Sequence, residues 1–111
     1  MSIDALYKGM PEPDNHVLDE AELEAARAAL PGWTLDTRLR KRFEFGNFCD
    51  AMAFMTRVAF DAERLCHHPN WSNVYNRVEV ELWSHDLGGV SALCVELAKA
   101  MDAAASSSER E

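Results

Sequence analysis

Two changes of hydrophobic period limit what this chain can fold into. From Leu35 to Phe45 the side chains alternate, with Leu35, Thr37, Leu39, Lys41, Phe43 and Phe45 on one row and Asp36, Arg38, Arg40, Arg42 and Glu44 on the other. That is a half-buried antiparallel strand, or a hairpin bent near Asp36-Thr37, with a charged outer face. Lys41 is the one exception on the inner row. After Asn47, a good helix cap, the repeat becomes helical: Phe48, Ala51, Met52, Met55, Val58, Ala59, Ala62 and Leu65. Pro69 disfavours the helical region for the residue before it, so this long amphipathic helix is expected to end at His67 or His68. Period two then returns, with Val78, Val80 and Leu82 alternating with Glu79, Glu81 and Trp83.

The flanks fill in around this pattern. Asp19-Glu20-Ala21-Glu22 puts acids where a helix macrodipole favours them, and Pro31-Gly32 stops that helix after Leu30. Asp86 to Gly89 reads as a turn, and Ser91 as the cap of a last helix running to about Ala104. With a short strand at Ser72 to Tyr75, the order is α-β-β-α-β-β-α. The expected fold is α+β, a four-stranded antiparallel sheet with helices packed on one face. Outward acids of the later strand then face Arg38, Arg40 and Arg42 if the two strands are neighbours. Residues 1–18 read as a flexible arm, 19–104 as the domain, and 105–111 as a polar tail.

Size and charge narrow the function. The chain has 111 residues, enough for one core, and 48% of them are apolar. Acidic residues outnumber basic ones 19 to 11, a formal charge of -8. That sign opposes phosphate neutralisation, so no nucleic-acid partner is expected. Three cysteines (Cys49, Cys66, Cys94) form no CxxC and leave an odd thiol, which fits reduced cysteines in a cytoplasmic protein. Met1 to Gly9 lacks a basic segment followed by an apolar run, and no stretch approaches the roughly 20 apolar residues of a membrane span. A soluble intracellular domain is the expectation.

The chemistry concentrates in Glu63-Arg64-Leu65-Cys66-His67-His68-Pro69, with His85 at the end of a strand-like run. Imidazole titrates nearest neutrality, so three together suggest proton transfer or a metal site. Glu63 and His67 stand four residues apart, a spacing at which a carboxylate can orient an imidazole on one helix face. A surface pair with a helix cap accounts for either residue alone, and a purely structural reading of all three histidines has to explain their spacing by accident. Cys66, His67, His68, His85 and Cys94 are suitable zinc donors, yet adjacent ligands strain tetrahedral closure and no HExxH or CxxC occurs. No metal is therefore assigned. A cysteine nucleophile is weaker still, since only Cys66 lies beside imidazoles. His16 stands apart from the cluster. Phe43, Phe45, Phe48, Phe54 and Phe60 read as core rather than a ligand box, while Trp71 and Trp83 lie near histidines and can offer a flat apolar wall.

Glu63-x3-His67-His68-Pro69-x5-Tyr75-x9-His85, followed by Gly88-Gly89-Val90-Ser91, resembles the pterin-4a-carbinolamine dehydratase family. The string from His67 to Val78, Pro31-Gly32-Trp33, and Ala98-Lys99-Ala100-Met101-Asp102 also fit its pattern, so the resemblance covers about residues 19–104. It implies the same α-β-β-α-β-β-α order, assembly as a homodimer or homotetramer, and loss of water from 4a-hydroxytetrahydropterin to give quinonoid dihydropterin. Neither metal nor organic cofactor is implied. By position, His67, His68 and His85 would line the pterin site, with His68 and His85 as the acid/base pair and His67 positioning substrate. Glu63 would orient His67, Trp71 would pack near the pterin, and Ser84 would offer a hydrogen bond.

The chain departs from the family's pattern at three places. Cys94 stands where an Asp is usual, Cys66 replaces an Asp or Asn, and Trp83-Ser84 replaces small hydroxyl residues. A carboxylate at position 94 would hold a histidine's tautomer and raise its basicity, which a thiol does poorly. The resemblance therefore also admits a dehydratase-like binding protein without turnover. Relatives of this kind resemble a Rubisco assembly factor associated with alpha-carboxysomes, or serve as a dimerisation cofactor of a transcription factor.

Overall fold

The computed structural model describes residues 15–108, and three helices and four strands follow in the expected order. Helix α1 (Glu20–Ala29) begins with a reciprocal capping box: Asp19 Oδ1 accepts from the Glu22 amide at 2.8 Å, and Glu22 Oε1 accepts from the Asp19 amide at 3.1 Å. The alternating run of the first half divides into strands β1 (Thr34–Leu35) and β2 (Leu39–Glu44), a hairpin bent where the Asp36 side chain accepts from the Arg38 amide. Helix α2 spans Phe48–Leu65, with Asn47 Oδ1 accepting from the Asp50 amide at 2.8 Å. Strands β3 (Asn70–Val74) and β4 (Arg77–Leu82) form a second hairpin, and helix α3 (Ala92–Ser108) closes the fold.

All strand pairings are antiparallel, in the order β1-β2-β4-β3. Leu39 and Phe43 of β2 and Val78, Val80 and Leu82 of β4 are buried under α2 and α3, which pack on each other and on this one face. Among the described residues, no helix covers the other face. There Arg40 stands opposite Glu81 and Arg42 opposite Glu79, with N–O distances of 2.8 and 2.6 Å, and Arg38 reaches Glu81 at 3.0 Å. These are the cross-strand pairs expected from the two alternating runs.

The inner-row exception is resolved by a helix. Lys41 Nζ donates to Asp102 Oδ1 of α3 at 2.9 Å, and Trp33 Nε1–H donates to the same carboxylate at 3.0 Å. The ammonium also lies 4.7 Å from the centre of the Phe43 ring, so its stem covers apolar surface while its charge stays paired.

Several sequence expectations need correction. Phe43, Phe45 and Phe54 pack together, with centroids 4.8 and 4.9 Å from Phe54, but Phe48 and Phe60 are exposed, Phe60 at 74%. The core side of α2 is set by Ala51, Phe54, Val58, Ala62 and Leu65, and neither residue falls on it. Helix α3 runs four residues past Ala104 because Ala104 and Ala105 continue its buried side. Residues 1–14 of the expected arm lie outside the described residues. Its last four do not hang free: Val17 bridges to Ser91, Leu18 donates to the Val90 carbonyl at 3.1 Å, and Asn15 Oδ1 accepts from the Leu93 amide at 3.0 Å. Asn15 thus satisfies an open amide at the start of α3, work expected of the Ser91 side chain.

Candidate active site

The reversal at the end of α2 decides where the histidines go. Cys66 adopts a left-handed conformation (φ 51, ψ 38), and the His67 amide reaches back to the Ala62 carbonyl at 3.0 Å. This is a Schellman-type termination, with cysteine where glycine is usual. The helix therefore stops at Leu65, ahead of the His67 or His68 expected from Pro69 alone.

The early stop changes the partner of Glu63. A continuing helix would bring His67 beside it. Instead His68 Nε2–H donates to Glu63 Oε1 at 2.9 Å, with both side chains largely in solvent. His67 turns inward, where its Nε2 lies 3.1 Å from Cys94 Sγ in the first turn of α3. Glu63 thus orients His68, and Cys94 faces His67. Burial pulls the His67 pKa below its ordinary value, and the neighbouring His68 pushes the same way. Burial also pushes the Cys94 thiol up, against weaker hydrogen bonds from Ser91. Both shifts favour the neutral forms, a thiol beside an uncharged imidazole.

Sheet register brings in the third histidine. Asn70 opposes Glu81, so the start of β3 lies beside the end of β4. His67 and His68 precede the first with Pro69 between, and His85 follows the second by three residues, so all three stand toward one end of the sheet. His85 is exposed and its ring lies 4.5 Å from that of Trp83. Arg38 covers Trp83 from 3.9 Å, which ties the open-face ion pairs to the histidine end. This Arg38–Trp83–His85 contact series has no period or motif to announce it in the sequence.

Other expected site residues take different positions. Ser84 is buried, and its hydroxyl oxygen accepts from the Leu87 amide at 3.2 Å. Its backbone holds the same loop through Gly89, with Gly88 supplying the positive φ the turn requires. Trp71 is half-buried on the inner row of β3, opposite Val80, and packs against the core. Tyr75 sits at the far hairpin with φ 51, at the opposite end of the sheet from the histidines. His16 bonds Glu22 at 2.6 Å. Among the described residues, no three His, Cys, Asp or Glu side chains gather closely enough to hold a metal ion.

A depression of about 570 Å³ lies on the open sheet face. Arg40, Arg42, Glu79 and Glu81 flank it, and none of the three histidines lines it. Its charges are already paired across the strands, whereas the histidine end carries three imidazoles, a buried thiol and a carboxylate. The chemistry therefore points to the histidine end.

An α+β sheet with histidines gathered at one end defines a class that comparison with known proteins makes specific. Residues 16–104 match the family described as "Pterin 4 alpha carbinolamine dehydratase", and the chain belongs to it. It is 52% identical over 88 residues to a protein of Synechococcus sp. (strain WH7803), covering 78% of this chain and 95% of that one. It is 50% identical over 91 residues to one from Rhizobium leguminosarum bv. trifolii (strain WSM2304), covering 79% and 90%. Both relatives bear the name "Putative pterin-4-alpha-carbinolamine dehydratase". A crystal structure of a transcriptional coactivator/pterin dehydratase from Brucella melitensis superposes with a TM-score of 0.77 at 40% identity, covering 81% of this chain and 99% of that one.

Proposed function

We propose that this chain removes water from 4a-hydroxytetrahydropterin to give quinonoid dihydropterin, by histidine acid/base catalysis. One histidine protonates the departing 4a-hydroxyl as the C4a–O bond breaks, so that it leaves as water. Another takes the N5 proton, and the electrons of that N–H bond form the N5–C4a double bond. His68 and His85 are the acid/base pair in this reading, and His67 positions substrate. The observation that carries it is the register of β3 on β4, which supports a shared site for His67, His68 and His85. An ionised carboxylate only accepts, so Glu63 keeps the proton on His68 Nε2 and leaves Nδ1 to exchange protons with substrate. Trp71 and Ser84 serve through the strand and loop that shape the site's edge.

The test is the rate of dehydration of 4a-hydroxytetrahydropterin, followed by absorbance with micromolar protein. Acceleration that disappears in His68→Ala supports the reading; no acceleration sinks it. The thiol opposite His67 supports a second reading, a binding protein that holds a pterin or a protein client such as Rubisco without turnover. Pterin binding or carboxysome association in the absence of acceleration would favour that reading. In either case we read the chain as a homodimer or homotetramer, supported by the exposed Phe48, Met52 and Phe60 along α2. Light scattering on the purified protein decides the number of copies.

A further inference from the structure

We propose that Cys94 is a positioning residue that sets the tautomer of His67, its S–H donating to Nε2 so that Nδ1 carries the proton and faces outward. The inference rests on the pterin-site reading for its catalytic consequence, but its geometry stands alone. Cys94 is fully buried in the first turn of α3, and its sulfur touches two polar groups: Ser91 Oγ at 3.4 Å and His67 Nε2 at 3.1 Å. Ser91 is itself fully buried. A serine hydroxyl can donate as well as accept, so the three form a chain, Ser91 O–H to Cys94 S, then Cys94 S–H to His67 N.

The direction follows from the chemistry of the pair. Sulfur is a poor acceptor, while the bare nitrogen of a neutral imidazole is a good one, so the contact is better made with the thiol donating. Burial favours that neutral arrangement from both sides. The consequence is a reversal of polarity. An ionised carboxylate at this place would demand N–H at Nε2 and leave Nδ1 as an acceptor. A thiol leaves Nδ1–H, so His67 presents a donor to whatever binds beside it. A donor suits a carbonyl or ring-nitrogen acceptor on a bound heterocycle, and not an N–H of it.

Long-range proton–nitrogen NMR of the imidazoles tests this in the full-length protein without requiring turnover. His67 of the wild type at neutral pH is expected to show the Nδ1–H pattern, retained in Cys94→Ser and lost in Cys94→Ala. Cys94→Asp is expected to move the proton to Nε2 and raise the His67 titration midpoint by about 1–3 units. Wild-type His67 protonated on Nε2 overturns the proposal, and so does a tautomer unchanged in Cys94→Ala. If Cys94→Asp does not fold, the wild-type and Cys94→Ser spectra still decide. Should the protein accelerate dehydration, the pH–rate profile is expected to shift in Cys94→Asp and hold in Cys94→Ser. Absence of dehydration activity counts against the enzyme reading and leaves the NMR result to judge Cys94.

Discussion

The open sheet face and the histidine end are built from opposite electrostatic materials. On the open face, Arg38, Arg40 and Arg42 meet Glu79 and Glu81 in solvent, and mutual pairing holds Arg40 and Arg42 above, and Glu81 below, their ordinary pKa values. Their charges stay fixed through the neutral range. At the histidine end, one imidazole faces a buried thiol and another an exposed carboxylate. The two regions are separated by face rather than by distance along the strands, since the Glu81 pairs lie at the strand ends that the histidines flank. Arg38 is the link, paired with Glu81 on one side and stacked on Trp83 on the other.

Five measurements can break or sharpen that contrast. The largest effect is expected from His68→Ala, which should lower kcat/KM for dehydration by about 10²–10⁴-fold while circular dichroism stays unchanged. A comparable loss from Arg42→Ala would erase the distinction between the two regions. Phe54→Ala removes the ring on which Phe43 and Phe45 converge, and should cost about 3–5 kcal/mol in chemical denaturation. Cys66→Gly relieves the left-handed strain at the end of α2 and should gain about 1 kcal/mol. A loss instead would show that the thiol does more than occupy a turn.

The fourth measurement is stability against pH. His67 has a folded pKa below its ordinary 6.5, so the unfolded chain binds more protons as pH falls past that value. Its contribution is complete above 6.5 and is lost as pH falls through the folded pKa. Cys94 has a folded pKa above its ordinary 9.0, so its contribution is complete below 9.0 and is lost as pH rises beyond it. Denaturation midpoints should therefore plateau between these values, and His67→Gln should flatten the acidic slope. The smallest effect is expected on the open face, where Arg42→Gln with Glu79→Gln should leave the Tm within experimental scatter because the pair is exposed.

Much of the fold was legible because it rests on local periodicity. Period two marked the inner and outer rows of β2 and β4, and the helical repeat located α2, while β3, expected at Ser72 to Tyr75, begins two residues earlier at Asn70. The charged rows even anticipated their partners, since alternation fixes which side chains share a face. Phe48 and Phe60 were misjudged because a helix apolar around most of its circumference does not say which side meets the sheet. Of the candidate site, the histidines and Glu63 were visible as a cluster, but their pairings were not. Spacing of four residues matched Glu63 to His67 only on the assumption of a continuing helix, and Cys66 ends it first.

The sequence by itself determined the order of elements and the two faces of the sheet, because each follows from neighbours along the chain. Tertiary structure decided which histidine meets which partner. His67 finds Cys94 27 residues away, and Asn15 finds the first turn of α3 78 residues away. Such contacts depend on how a helix end turns and how a sheet is registered. No local period encodes either one.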